Sequence, residues 1–453
     1  MFNKYHLTFF SLCLRIAACF LLLGASPTFL FAQLDLARLK VDWQKAGVIT
    51  DSLPSYDNII NVTDFRLVGD GITPNDLYFK QLLARYEGKP TIFYFPAGKY
   101  LFLSPINLSD YFILKGESAR ETKLIFDLKG KFRNCINAIG SVNTSVYTVK
   151  TDVLQWSKDL SLDRTDGLKV GDMVLLTSED SNLVESEWAK KSTGQISTID
   201  SVGTQMIVFR EVVRRTHPKT YFPQLHVIRP IKGVGIECLS VERKDATPFQ
   251  TTNIYFKYAM NCWVSGVEGN KCNYTHVEFR SSYHLSLLNS YFHDAFDYGD
   301  GGKGYGVLVH FNSSLCLVEN NIFEQLRHSM VLQAGANGNV IGYNHSRNVY
   351  WENEQGTDRA GDLVLHGNYP YANLLESNVV QNIIIDDSHG MNGIYNLFTR
   401  NRAESYGIFV STTFPPTPEQ IFDGNETTNL EDGYGRYGIF GYHWNLAIIL
   451  KEL

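Results

Sequence analysis

The sequence predicts an all-β solenoid, a parallel β-helix, and three observations carry that reading. First, asparagines recur in one column, at Asn321, Asn344, Asn378 and Asn401, with steps of 23, 34 and 23 and with Ser290 standing 31 before the first. Second, a separate column closes apolar runs with an imidazole or an amide: "VLVH" at His310, "MVLQ" at Gln333, "LVLH" at His366 and "DDSH" at His389, stepping 23, 33 and 23, with Thr412 another 23 on. Third, each unit holds several short β-branched or aromatic runs and no heptad or leucine-rich pattern, so it cannot bury its apolar face alone. Stacked coils can bury that face, because each strand pairs in parallel with its counterpart about 4.8 Å away. Identical asparagines then line up as an amide ladder.

Residues 1–32 read as an export signal. Lys4 and Arg15 supply positive charge, "IAACFLLLGA" supplies the apolar stretch, and Ala32 in "FLFAQ" offers a small residue for cleavage. Arg15 interrupts the run, so a stable span in the mature chain is not expected. Lipoprotein anchoring at Cys19 is the secondary reading. The implied location is outside the cytoplasm, secreted or periplasmic. The formal net charge is −6. Losing Lys4 and Arg15 with the signal takes it to −8, which argues against binding nucleic acid through its phosphates.

Residues 33–140 read as an N-terminal cap and the first coils. Thr73 is placed to cap a helix with Pro74 at its first position, and Phe79, Leu82, Leu83 and Tyr86 share one face of it. Residues 141–230 break the solenoid rhythm. "GLKVGDMVLL", "TGQISTIDSV" and "QMIVFREVV" are strands between turn signals and read as an inserted antiparallel barrel or sandwich. Residues 231–453 carry the main β-helix. The stretch "GYGRYGIFGYHWNLAIILKEL" has no clear capping unit, so the solenoid is expected to be cut short there. Five cysteines follow the signal, without CxxC pairs, which suggests neither zinc nor a disulfide framework. Cys238 and Cys262, 24 apart, are expected on neighbouring rungs as a buried stack.

The segment "NVTDFRLVGDGITPNDLYFKQLLARYEGKPTIFYFPAGKYLF", residues 61–102, resembles the opening of right-handed parallel β-helix proteins of the pectin-lyase-like superfamily. The matching elements are "VTDF", "VGDG", the amphipathic helix and "TIFYFPAGKY". The resemblance implies a right-handed solenoid whose open end is closed by the helix. It carries less about activity, since lyases, glycoside hydrolases and viral tail proteins share this opening.

Both long excursions between coils fall between the Asn column and the His/Gln column, where the intervals are 20, 12, 22 and 11, whereas the return intervals are 11 or 12 throughout. Two loops are therefore expected to wall a groove. Its floor would be the strand repeated as 305–310, 328–333, 361–366, 384–389 and 407–412. The loops bring Lys303 and Tyr305, then Trp351, Arg359 and Asp362; the floor adds Arg327, His328, Asp386 and Asp387. Aromatics, acids and guanidinium groups together suit a sugar polymer.

Three functions fit this pattern, all with a polysaccharide or oligosaccharide as partner and the chain as a monomer. The favoured one is a polysaccharide lyase acting on a uronic acid. Arg327, Arg359 or a bound cation, calcium being the candidate, would neutralise the carboxylate. His366, His389 or Lys303 would take the proton, and a Tyr or His, with His328 in reach, would protonate the leaving oxygen. The second is a glycoside hydrolase that pairs Asp386 or Asp387 with Asp362. The third is a non-catalytic glycan-binding or surface protein. In all three, His310, Gln333, Lys303, Tyr305, Trp351, Arg359 and Asp362 are the expected substrate contacts.

Overall fold

A computed structural model describes residues 39–353, 357–411, 420–428, 436–437 and 449–451. The export signal, Thr412 and most of the C-terminal stretch lie outside the described residues. The chain winds as a right-handed parallel β-helix. One face is a 12-stranded parallel sheet that runs from Asn58–Asn61 to Ile449–Lys451. Its rungs align Trp263, Ser286, Leu317, Val340, Leu374, Leu397 and Ile421, stepping 23, 31, 23, 34, 23 and 24. The other faces belong to a 19-stranded array. Within it, Thr275–Arg280, Tyr305–His310, His328–Leu332, Leu363–Leu365, Val379–Asp386 and Arg402–Ser411 stack in order.

Amide ladders hold the turns between faces. Asn321, Asn344, Asn378, Asn401 and Asn425 each pass a side-chain hydrogen bond to the next at 2.9–3.0 Å. A second ladder, which the sequence reading missed, runs from Asn339 through Asn373 and Asn396 to Gln420. Every rung of a ladder satisfies a backbone group that the coil corner would otherwise bury unpaired. Inside, aromatic rings stack along the axis, as in Phe292–Phe323 and Phe398–Phe422.

The helix Asp76–Arg85 covers the N-terminal end and inserts Phe79 among Phe93, Phe95 and Phe102. It starts later than the capping pattern suggested. Thr73 and Pro74 belong to the strand Asp70–Pro74, where the Thr73 hydroxyl bonds Asp70, and Asn75 takes the N-cap position. Cys238 and Cys262 do not stack either. The register sets Ile236 beside Val264, which carries Cys238 towards Gly266, and the five cysteines of the described residues are free thiols.

Between Ser141 and Arg229 six antiparallel strands form a separate sheet. A bridge between Val149 and Leu162 joins its two edge strands, so the sheet curls into a small barrel around Leu160, Val174, Ile199, Ile207 and Phe209. The barrel sits on the stack of turns at Tyr283, Ser314, Asn337 and Tyr371. Arg214 donates to Asn337 at 2.7 Å, Asn337 and Tyr371 donate to the Gly194 carbonyl, and Tyr283 donates to Glu211. No helix among the described residues is long and apolar enough to cross a membrane.

Candidate functional site

The floor strands set a row of side chains in register. Lys257 pairs with Arg280 and Arg280 with His310; Gln333, His366 and Asp386 follow on successive rungs. The register differs from the one that the spacing of 23 suggests. Leu365 lies opposite Ile385, so the residue beside His366 is Asp386 and not His389. The strand ends at Asp386, and residues 387–390 turn, closed by the Gly390 amide on the Asp387 carbonyl. The step of 23 between imidazoles joined a strand residue to a turn residue.

Over this row lies a groove of about 940 Å³, lined by Arg133, Asn137, Tyr255, Tyr274 and Glu278 towards one end and by Tyr305, Arg327, Gln333, His366 and His389 towards the other. From the rung of Asn137 to that of His366 it crosses five inter-strand spacings, about 24 Å. Of the residues expected from sequence, His310, Gln333, Tyr305, Arg327, His366 and His389 line it.

At the His366 end the parts converge. His366 Nδ1 lies 2.7 Å from Asp386 Oδ2. An ionised carboxylate only accepts, so Nδ1 is the donor of this bond and Nε2 is the ring nitrogen left for a substrate. Burial works to raise the Asp386 carboxyl, but the His366 bond and the Ser388 hydroxyl and amide overcome it and hold the group well below the usual carboxylate range. The His389 ring stands edge-on to His366 at 4.6 Å. His328 lies beneath, 5.5 Å from the His366 ring, and bonds the Gly361 carbonyl through Nδ1. Burial, then the charge of Arg327, pushes it well down, so it stays neutral.

The Arg327 guanidinium is 4.9 Å from the Trp351 ring and 5.9 Å from the Tyr305 ring, and it donates to the Gly299 carbonyl at 2.6 Å. Burial pushes the Tyr305 hydroxyl up to about 12, which keeps its proton in place at neutral pH. Its ring is 6.5 Å from that of His366.

Other expected contacts do not reach the groove. Asp362 is fully buried: Ser346 donates to one oxygen and the Gln381 and Asn382 amides to the other. Its carboxyl holds a coil corner together. Lys303 pairs with Asp297 inside its own loop. Trp351 sits behind Arg327 as a prop. Arg359 lies over the Tyr406 ring. Asp387 is 1% exposed and accepts from the Asn392 amide and side chain at 2.9 and 2.6 Å.

Among the described residues, the acids of the first loop do not converge as a set of three. Asp297 is already paired with Lys303, and the Asp300 side chain is 71% exposed. Among the described residues, the three ligand-type groups that converge are His366, Asp386 and His389, whose ligand atoms lie within 4.8 Å of one another. Two imidazoles and one carboxylate suit a transition metal better than an oxygen-seeking ion.

The sequence reading missed Glu278, Arg280 and Trp188. Glu278 accepts from His310 Nε2 at 2.8 Å and from the Thr252 hydroxyl at 2.7 Å. "THVEFR" precedes "YGVLVH" by one coil, and extending the column one rung back would have found Arg280. Nothing in the local pattern announced Trp188, which comes from the inserted barrel.

Residues 59–200 match the model of the family described as rhamnogalacturonase A/epimerase, pectate lyase-like. In structure the chain is similar to the tailspike protein gp49 of Pseudomonas phage LKA1, at 15% identity and a TM-score of 0.62, covering 81% of this chain and 64% of that one. It is also similar to the tailspike gp61 of Pseudomonas phage phi297, at 14% identity and a TM-score of 0.59, covering 82% and 66%. The chain thus spans a little under two thirds of the length of these two structures. No curated protein matches the sequence. The coil register, the end-capping helix and these likenesses together make the chain a right-handed parallel β-helix, and residues 59–200 of it are similar to the pectate lyase-like family.

Proposed function

We propose that this is an exported glycan-active enzyme that cleaves a uronic-acid-containing polysaccharide by β-elimination. The observation that carries the reading is the His366–Asp386 pair beside Arg327 at one end of an elongated groove. Elimination needs a base for the proton alpha to the carboxylate, a cation against that carboxylate, and an acid for the leaving oxygen. His366 Nε2 takes the proton from C5, and Asp386 stabilises the imidazolium that forms. Arg327 pairs with the sugar carboxylate as charge builds on it. The C5–H electron pair becomes the C4–C5 double bond, the bond from C4 to the glycosidic oxygen breaks, and that oxygen accepts a proton from Tyr305 or His389.

The description of the family matched by residues 59–200, rhamnogalacturonase A/epimerase, pectate lyase-like, supports a glycan as the partner at a coarser level. Hydrolysis by Asp362 with Asp386 or Asp387 has less support. Asp362 is spent on the backbone, Asp387 is buried against Asn392, and Asp386 is bound to His366.

Incubation with a panel of uronic-acid polymers tests the proposal. The expected result is growth of the ultraviolet absorbance of an unsaturated uronide, abolished in His366→Ala while polymer binding persists. New reducing ends without that absorbance would replace elimination by hydrolysis. Binding without either product would leave a glycan-binding protein.

A further inference from the structure

The inserted barrel reaches the groove at a point that elimination chemistry leaves unused. Trp188 lies on the short 3₁₀ turn Glu187–Ala189, is 53% exposed and lines the groove. The turn is held in place. Ala189 is buried with Val184 and Ala334, and the Asp180 carboxylate accepts from the Lys191 and Thr193 amides at 2.7 and 3.1 Å. Trp188 meets Phe311 edge-on at 5.7 Å, and the Arg280 guanidinium lies 3.8 Å from the centre of the same Phe311 ring. An exposed indole next to a stacked guanidinium offers a sugar one apolar face and one bidentate partner for an anionic group.

Positive charge outweighs negative at this place. Lys257 stands in register with Arg280 one rung away, and Arg133 lines the same end of the groove. Glu278 is the one carboxylate among the described residues lining the groove; it is 4% exposed, already bonded to His310 and Thr252, and 4.0 Å from Arg280. Glu187, next to Trp188, pairs with Lys190. A local excess of positive charge on a chain of net charge −6 favours an anionic ligand at this spot.

We propose that Trp188, Phe311 and Arg280 form a remote subsite for an acidic sugar of the bound polymer, so that the inserted barrel is part of the substrate site. The inference rests on the reading of the groove as glycan-binding and is independent of the elimination step. Arg280 and His366 are three rungs apart, about 14 Å along the axis. A long oligomer therefore engages both places, and a short one engages the His366 end alone.

The test is affinity, measured by calorimetry on the His366→Ala chain so that turnover plays no part. The probes are trimers and octamers of galacturonate, mannuronate and glucuronate, together with carboxyl-reduced octamers. For the best-bound series the octamer is expected to bind at least about tenfold more tightly than the trimer. Trp188→Ala and Arg280→Gln should each remove most of that advantage, with an unchanged melting temperature for the exposed Trp188 position. Carboxyl reduction should copy the Arg280 effect and add little to it. An octamer advantage that survives both substitutions overturns the subsite, and so does equal binding of trimer and octamer in all three series. Turnover by the wild-type chain is read separately, so loss of the subsite and loss of the elimination reading are distinct results.

Discussion

Replacing Asp387 by asparagine should stabilise the protein at alkaline pH and leave it nearly unchanged at acid pH. The Asp387 carboxyl is 1% exposed, and burial pushes it from 3.8 up to about 7, with the neighbouring Asp386 charge adding to the rise and the Asn392 bonds opposing it. The folded chain thus keeps this proton to about pH 7, whereas the unfolded chain releases it near the ordinary value. The stability linked to the proton is fully present below pH 3.8 and is lost as pH rises through about 7. At about 1.4 kcal/mol per pH unit, the loss approaches about 4 kcal/mol once the buried group ionises. Asparagine keeps an oxygen for the Asn392 amide and side chain and has no proton to lose. The gap between Asp387→Asn and wild type should therefore open between pH 4 and pH 8, by on the order of 5 °C in melting temperature. Thermal unfolding across that range, followed by circular dichroism, measures it. An offset that does not change with pH would refute the argument. Since Asp387 lies outside the groove lining, polymer cleavage should survive the substitution, and its loss would return Asp387 to the catalytic residues.

Asn344→Ala should destabilise the fold by about 3–5 kcal/mol, because the amide accepts from the Asn321 amide and side chain and donates to Val318 and Asn378, all buried; chemical denaturation measures it, and a loss under about 1 kcal/mol would refute the role given to the ladder. Asp386→Asn should lower kcat on the order of 100-fold with little change in KM, since it takes the charge from the bond that orients His366, and a pH–rate profile identical to wild type would contradict that role. Added Zn²⁺ should inhibit turnover reversibly by engaging His366, Asp386 and His389; chelation should restore activity, and a requirement for Ca²⁺ would overturn the assignment of carboxylate neutralisation to Arg327.

What the sequence determined by itself is what periodicity encodes. A coil length repeated along the chain fixes which residues stack, so the Asn321–Asn401 ladder, the parallel solenoid and the loops before the floor strand were legible without coordinates. Residues 61–102 added the capping helix because its apolar face follows a local rule. Tertiary structure decided the rest. The partner of His366 is Asp386 because the coil after Leu365 is short by three residues, and two arrangements of equal apolar pattern differ only in where the strand turns. Asp362 looked like a floor carboxylate, but a coil corner needed its oxygens for the Gln381 and Asn382 amides. Trp188 enters the groove from a barrel more than a hundred residues earlier in the chain, a distance across which no local pattern carries information. Contacts that depend on burial and on chain segments far apart in sequence are set by packing, and packing is decided only when the whole solenoid closes around its core.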